Sequence, residues 1–166
     1  MTRKESKKKN KILVAVDESK NAMKAVEYVA GAVGKTKGVK ITLFSVFPEF
    51  PPTFLETDAS LHPLFKGKVE ELTALTVQKR ATIEKSIERA KKVLMDAGIV
   101  EKDITVKTQE RKIGIARDIL KEAQEGKYNT IAVGRRGLSA TRAFVFGSIS
   151  SKIVQYAKNR TVWVVE

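Results

Sequence analysis

The chain of 166 residues contains no cysteine, which excludes disulfides and thiolate-bound metals and agrees with a cytosolic setting. It has one histidine, His62, with no other histidine or paired carboxylate near it in sequence, so it reads as a surface-loop residue. No apolar run approaches the roughly 18 residues that a membrane span needs. The opening MTRKESKKKNK lacks the apolar core of a secretory signal, so neither a membrane partner nor export is expected. Prolines number four, all between Pro48 and Pro63. Acidic residues are absent from Ile131 to Val165, where Arg135, Arg136, Arg142, Lys152, Lys158 and Arg160 stand unopposed in sequence. That local field favours anionic ligands, small phosphates or polymers.

What is present fits one folded domain. A chain of this length buries roughly 70% of its unfolded surface without a metal or disulfide staple. A hydrophobic fraction of 42% is that of a globule rather than a disordered chain. The formal charge of +13 comes partly from the lysine-rich residues 1–10, expected as a solvated flexible tail ahead of a domain at 11–166. Contact of that tail and the basic C-terminal region with nucleic acid is the competing reading.

Five apolar runs read as strands: Lys11 to Val16, Lys40 to Phe47, Ile104 to Gln109, Asn129 to Gly134 and Thr161 to Glu166. Several are continuous rather than alternating, as strands covered on both faces are. Helical spacing separates them. Ser19 caps a helix carrying Ala22, Ala25, Val26, Val29 and Val33 to Gly34. Ile83, Ile87, Ala90 and Leu94 mark a long helix that stops at Gly98. Ile115, Ile119 and Ala123 mark a third before Gly126, and Ile149, Ile153 and Ala157 a fourth beginning at Ser148. This alternation predicts an α/β fold, a single doubly wound domain with a parallel sheet and helices on both faces. The connection from Pro48 to Pro63 is long for a plain loop and is expected as a flap or a linker into the long helix.

In such a sheet, ligands sit beyond the carboxyl ends of the strands, where the winding reverses. The first strand runs into Asp17 and the fourth into Gly134. If the fourth strand lies beside the first, these two ends flank the crevice. The glycine segment has the spacing Gly134-x2-Gly137-x9-Gly147-Ser148. Glycines let backbone N–H groups approach phosphate oxygens, and Ser148 adds a hydroxyl where a helix begins and anions are favoured. By geometry alone a second reading stands equally: Gly134 and Gly137 as a turn, Ser148 as a helix cap.

This segment resembles the nucleotide-binding signature of the universal stress protein family, which has Gly, two residues, Gly, nine residues, Gly, then Ser or Thr. ILVAVDES, LFSVF and VWVV resemble the family's first, second and closing strands, so the likeness spans the chain apart from the basic tail and the details of the Pro-rich connection. The resemblance implies a Rossmann-like, adenine nucleotide alpha-hydrolase-like domain with a five-stranded sheet in the order 3-2-1-4-5, and ATP held between strands one and four. It implies that Asp17, with Ala15 and Val16 beside it, contacts the adenosine part. Val46 would line the adenine pocket and Val133 would pack near the base or sugar. Gly134, Gly137, Gly147 and Ser148 would hold the phosphates, with a backbone N–H from Ile149. Arg135 and Arg136 would either touch phosphate or point to solvent. It further implies a homodimer in which Thr161 to Glu166 pairs with its copy and Trp163 lies at the interface.

Neither a P-loop with its lysine nor a G-x-G-x-x-G run occurs. With the resemblance placing the one acid at the nucleoside end, binding with slow turnover at most is expected, Mg²⁺ or Mn²⁺ accompanying ATP if a metal is used. The working reading is a cytoplasmic, ATP-dependent regulatory switch in a stress response, with a slow ATPase as the enzymatic alternative.

Overall fold

The computed structural model describes residues 10–50, 63–137 and 146–166. The tail, most of the Pro48 to Pro63 connection with His62, and residues 138–145 with Arg142 lie outside the described residues. Strands and helices alternate as β1 (Lys11–Ala15), α1 (Lys20–Val33), β2 (Lys40–Phe47), α2 (Pro63–Asp96), β3 (Ile104–Glu110), α3 (Ile115–Glu125), β4 (Thr130–Gly134), α4 (Ser148–Tyr156) and β5 (Thr161–Val165). All pairings are parallel, in the order β3-β2-β1-β4-β5. The expected α/β fold is therefore the observed one.

Period-two alternation divides the core into two halves. Ile12, Val14 and Val16 of the first strand and its exit, with Ile41 and Leu43 of β2, turn to α1 and α2, where they meet Val26, Val29, Ile83, Ile87 and Leu94. Leu13, Phe44, Ile131 and Val133 face the other way, against Ile119, Ala123 and Ile153. Each fully buried aliphatic of this kind contributes roughly 1.5–3 kcal/mol. The two edges differ in chemistry. β3 is mostly exposed and polar, with Lys107 paired to Glu122 at 2.8 Å, whereas β5 carries half-buried Val162, Trp163, Val164 and Val165.

Helix starts follow local chemistry. Ser19 Oγ accepts the N–H of Ala22 at 3.1 Å, capping α1 as its position before the periodic run predicts. α2 is longer than its buried face, beginning at Pro63, where a proline's missing N–H has no helical partner to lose. Its first turns carry exposed Leu72, Leu75 and Val77, and its buried stripe begins at Ile83. α4 ends at Tyr156, so Ala157 is the residue that closes the helix rather than one inside it.

Candidate functional site

Because β4 returns beside β1 after the excursion through β2 and β3, the crevice at the reversal lies between Ala15 and Gly134. A cavity of about 660 Å³ opens there, within the usual range of small-molecule sites, roughly 300–1,000 Å³. One wall comes from the turn after β1. Ser45 Oγ donates to the Val16 carbonyl at 2.7 Å and fixes where the chain leaves the sheet. Asp17 Oδ1 then accepts the Ser19 N–H at 2.8 Å, an Asx turn that leaves Oδ2 toward the cavity side.

The opposite wall is the glycine segment, and its three glycines have different reasons. A β-carbon at Gly134 would lie 2.6 Å from the Asn21 carbonyl carbon and 2.8 Å from the Ala22 nitrogen, so β4 and the start of α1 touch only because this residue is glycine. At Gly137 a β-carbon would meet, among the described residues, just Asp17 Oδ2, at 3.6 Å. Asp17 and the glycine segment therefore do meet, across 120 residues of chain. Gly147 packs against Arg135 and Arg136, with a β-carbon at 3.2 Å from the Arg135 carbonyl oxygen, and its N–H donates to that oxygen at 2.9 Å. Ser150 Oγ donates to the same oxygen at 2.7 Å and is 2% exposed. The Arg135 carbonyl thus draws the start of α4 onto the end of β4.

Gly147 is the residue before α4 and offers no side-chain cap; Ser148 is the first helical residue. Ser148 is therefore not a cap, which removes one half of the bland alternative, and Gly134 closes a strand rather than forming a turn. The N–H groups of Ser148, Ile149 and Ser150 precede the first intrahelical bond, Ser151 to Gly147, and belong to residues that line the cavity. With the positive end of the helix behind them, they suit an anion. Arg135, which also lines the cavity, has its guanidinium paired with Glu166. Arg136 lines the cavity.

The far end is apolar, built by Phe44, Val46, Ile115, Ile119 and Val133. Phe44 gives its carbonyl to Val16 at 2.9 Å, so strand alternation turns the N–H and C=O of Val46 to the same side, beyond the point where β1 has stopped. That is one donor and one acceptor beside an apolar slot. Ala15, Val16, Asp17, Val46, Val133, Gly134, Arg136, Gly137, Gly147, Ser148 and Ile149 all line this one cavity. Sequence reasoning missed Phe44, Lys79, Arg111, Ile115, Ile119 and Phe146, which also line it. Helical and strand periodicity marked Ile115, Ile119 and Phe44 as core, and nothing in sequence separates a core apolar residue from one at a cavity wall.

A universal stress protein family model matches residues 9–166. The chain belongs to the universal stress protein family. Compared with curated protein sequences it matches none. Among solved structures, the universal stress protein UspA from Lactobacillus plantarum is 19% identical, covering 95% of this chain and 98% of its own, with a TM-score of 0.70. A universal stress protein in complex with cAMP is 17% identical, covering 95% and 97%, with a TM-score of 0.63. The universal stress protein from Archaeoglobus fulgidus in complex with dAMP is 16% identical, covering 95% and 98%, with a TM-score of 0.60. At these identities the likeness to solved structures is one of fold.

In this universal stress protein domain the carboxylates near the cavity are already engaged. Asp17 Oδ1 holds Ser19, and Glu18 is paired with Lys79 at 3.6 Å across the cavity mouth. Among the described residues no three His, Asp or Glu side chains gather as a metal site. A divalent ion accompanying a nucleotide would take most of its ligands from phosphate oxygens and water. No helix among the described residues is long and apolar enough to cross a membrane.

Proposed function

We propose that the protein binds ATP in the crevice between β1 and β4 and acts as a nucleotide-dependent regulatory switch in a stress response, with little or slow hydrolysis. The observation that carries this reading is the meeting of Asp17 and Gly137 in a cavity with an apolar slot at one end and the first-turn amides of α4 at the other. Adenine fits the slot: its ring takes the apolar wall, its N6 amino group has the Val46 carbonyl, and its N1 has the Val46 N–H. The triphosphate then reaches Gly137, Gly147, Ser148 and the Ile149 N–H, while Asp17 meets the ribose. The complexes of family members with cAMP and dAMP support the choice of an adenine nucleotide.

Slow turnover follows from what surrounds the phosphate end. Catalysed hydrolysis needs a positioned base and charge aimed at the transition state. The cavity supplies ground-state donors, and on this reading Asp17 meets the ribose while Glu18 is paired with Lys79. Occupancy would act through differential affinity for two states of the protein. The surface to read that change is β5, an apolar and charge-poor edge on the opposite side of the sheet from the polar β3 edge, which suits pairing with a second copy into a homodimer.

Denaturing the purified protein and identifying the released nucleotide tests the reading directly. Retained ATP is the expected result, and ADP would point instead to an ATPase. In titrations, Ser148→Ala should weaken ATP by about 1.5–3 kcal/mol, roughly ten- to a hundredfold. An anion affinity that falls steeply with salt and ignores this substitution would replace the ATP site with a nucleic-acid surface.

A further inference from the structure

Asp118 is the one charged residue among the described ones that is buried, with 1% exposure. It stands in the first full turn of α3 and forms no ion pair with any described residue. Its carboxylate is satisfied by backbone alone. Oδ2 accepts the N–H of Lys112 at 3.0 Å and of Gly114 at 3.4 Å, and Oδ1 accepts that of Ile113 at 3.3 Å. Its own N–H donates to the Gly114 carbonyl at 2.9 Å.

The segment it gathers is the whole passage from β3 to α3. The last bond of the sheet there is Arg111 N–H to the Phe47 carbonyl, 2.9 Å, and Gly114 precedes the helix with φ of +146° and no side-chain cap. A Ser or Asp at the cap position would close such a helix at the surface with little desolvation. Burying an ionised carboxylate is costly unless it is well bonded, and three amides with the helix dipole behind them offset that cost. The residues on either side of the gathered amides, Arg111 and Ile115, both line the cavity, and Ile119 follows one turn on. Ile119 shares its apolar cluster with Phe44 and Val133, two walls of the slot assigned to the base.

We infer that Asp118 is a positioning residue for the base subsite: by fastening residues 112–114 it sets the wall formed by Arg111, Ile115 and Ile119. This rests on the ATP reading above. It separates the site into a phosphate end that does not depend on Asp118 and a base end that does.

Two probes distinguish the ends, adenosine for the base and inorganic triphosphate for the phosphates. They are titrated into the full chain at 150 mM salt, at a temperature where the variant is folded by circular dichroism. Asp118→Asn keeps the size but turns an amide toward the backbone N–H groups, losing at least one acceptor. Adenosine and ATP should weaken about tenfold while triphosphate changes less than about twofold. A general loss of structure would weaken both probes in parallel, and that result, or unchanged adenosine affinity, overturns the inference. A wild-type protein that binds neither of these probes nor ATP overturns the ATP reading and this inference with it. Should Asp118→Asn not fold, amide exchange in the wild-type protein decides. Protection of Lys112, Ile113 and Gly114 should rise with adenosine and stay unchanged with triphosphate, and equal responses to the two sink the idea.

Discussion

Gly134→Ala separates the packing part of the glycine signature from the part that faces ligand. The added methyl would sit 2.6 Å from the Asn21 carbonyl carbon, 2.7 Å from its oxygen and 2.8 Å from the Ala22 nitrogen. All three are backbone atoms in the first turn of α1, so no side-chain rotation relieves the contact. The helix itself must move, and it is anchored by buried Ala22, Ala25, Val26 and Val29. Overpacking of this kind costs about 1–3 kcal/mol. At roughly 2–4 °C per kcal/mol for a chain of this size, melting should fall by about 2–12 °C. Gly137→Ala is the control, since among the described residues its methyl meets only Asp17 Oδ2 at 3.6 Å, an ordinary contact. Its melting temperature without nucleotide should stay within about 2 °C of wild type, while ATP affinity falls because the methyl stands beside Asp17 in the cavity. The assay is thermal unfolding of the nucleotide-free proteins, followed by ATP titration. Wild-type melting of Gly134→Ala, or equal melting losses in both variants, would refute the division.

Other expectations follow from the same geometry. ATP should bind well ahead of GTP, by about tenfold or more, because guanine offers O6 and N1–H where the Val46 carbonyl and N–H require a donor and an acceptor; competition titrations measure the ratio. Burial, chiefly, raises the Tyr128 phenol above its ordinary value, with Glu122 adding to the effect and Thr42 and Lys107 opposing it. The folded state therefore holds this proton more tightly than the unfolded one. Stability from it is complete below about pH 10 and is lost as pH rises through the raised value, so Tyr128→Phe should flatten the alkaline limb of a urea-stability profile. The same variant loses the bonds from the hydroxyl to Thr42 and Glu122, both 3.0 Å, and should cost about 0.5–1.5 kcal/mol at neutral pH. In β5, Thr161 N–H donates to the Asn129 carbonyl of the neighbouring strand, so alternation turns the N–H of Val164 outward. Val164→Pro should therefore yield monomers in light scattering if β5 pairs with its copy, without removing a bond to β4.

Much of this was legible in the sequence because the signals are local or periodic. The continuous runs at Leu13 and Ile131 marked strands covered on both faces, and Ser19 announced α1. The glycine spacing after the fourth strand placed the cavity. Boundaries slipped by a residue or so: β1 ends at Ala15, and Val16 is held by a bond to Phe44 outside the strand. The individual jobs of the glycines were not legible, since Gly134 and Gly137 are alike as letters and differ only in what lies opposite. Trp163 was expected at a dimer interface; it is half-buried, and its ring meets Tyr28 edge-on at 5.6 Å, a packing role that a second copy would add to.

Fold class, element order and family were readable along the chain, because hydrophobic period, capping residues and fixed spacings are properties of short stretches. The glycine-rich segment, free of acidic residues, is equally visible there. That Asp17 faces Gly137, that the Val46 peptide borders the slot, and that Asp118 is buried beneath a loop of amides became visible only in the folded chain. Each of those depends on which strand lies beside which and on where a neighbouring strand stops. That is fixed by packing between residues far apart in the chain, and no local pattern encodes it.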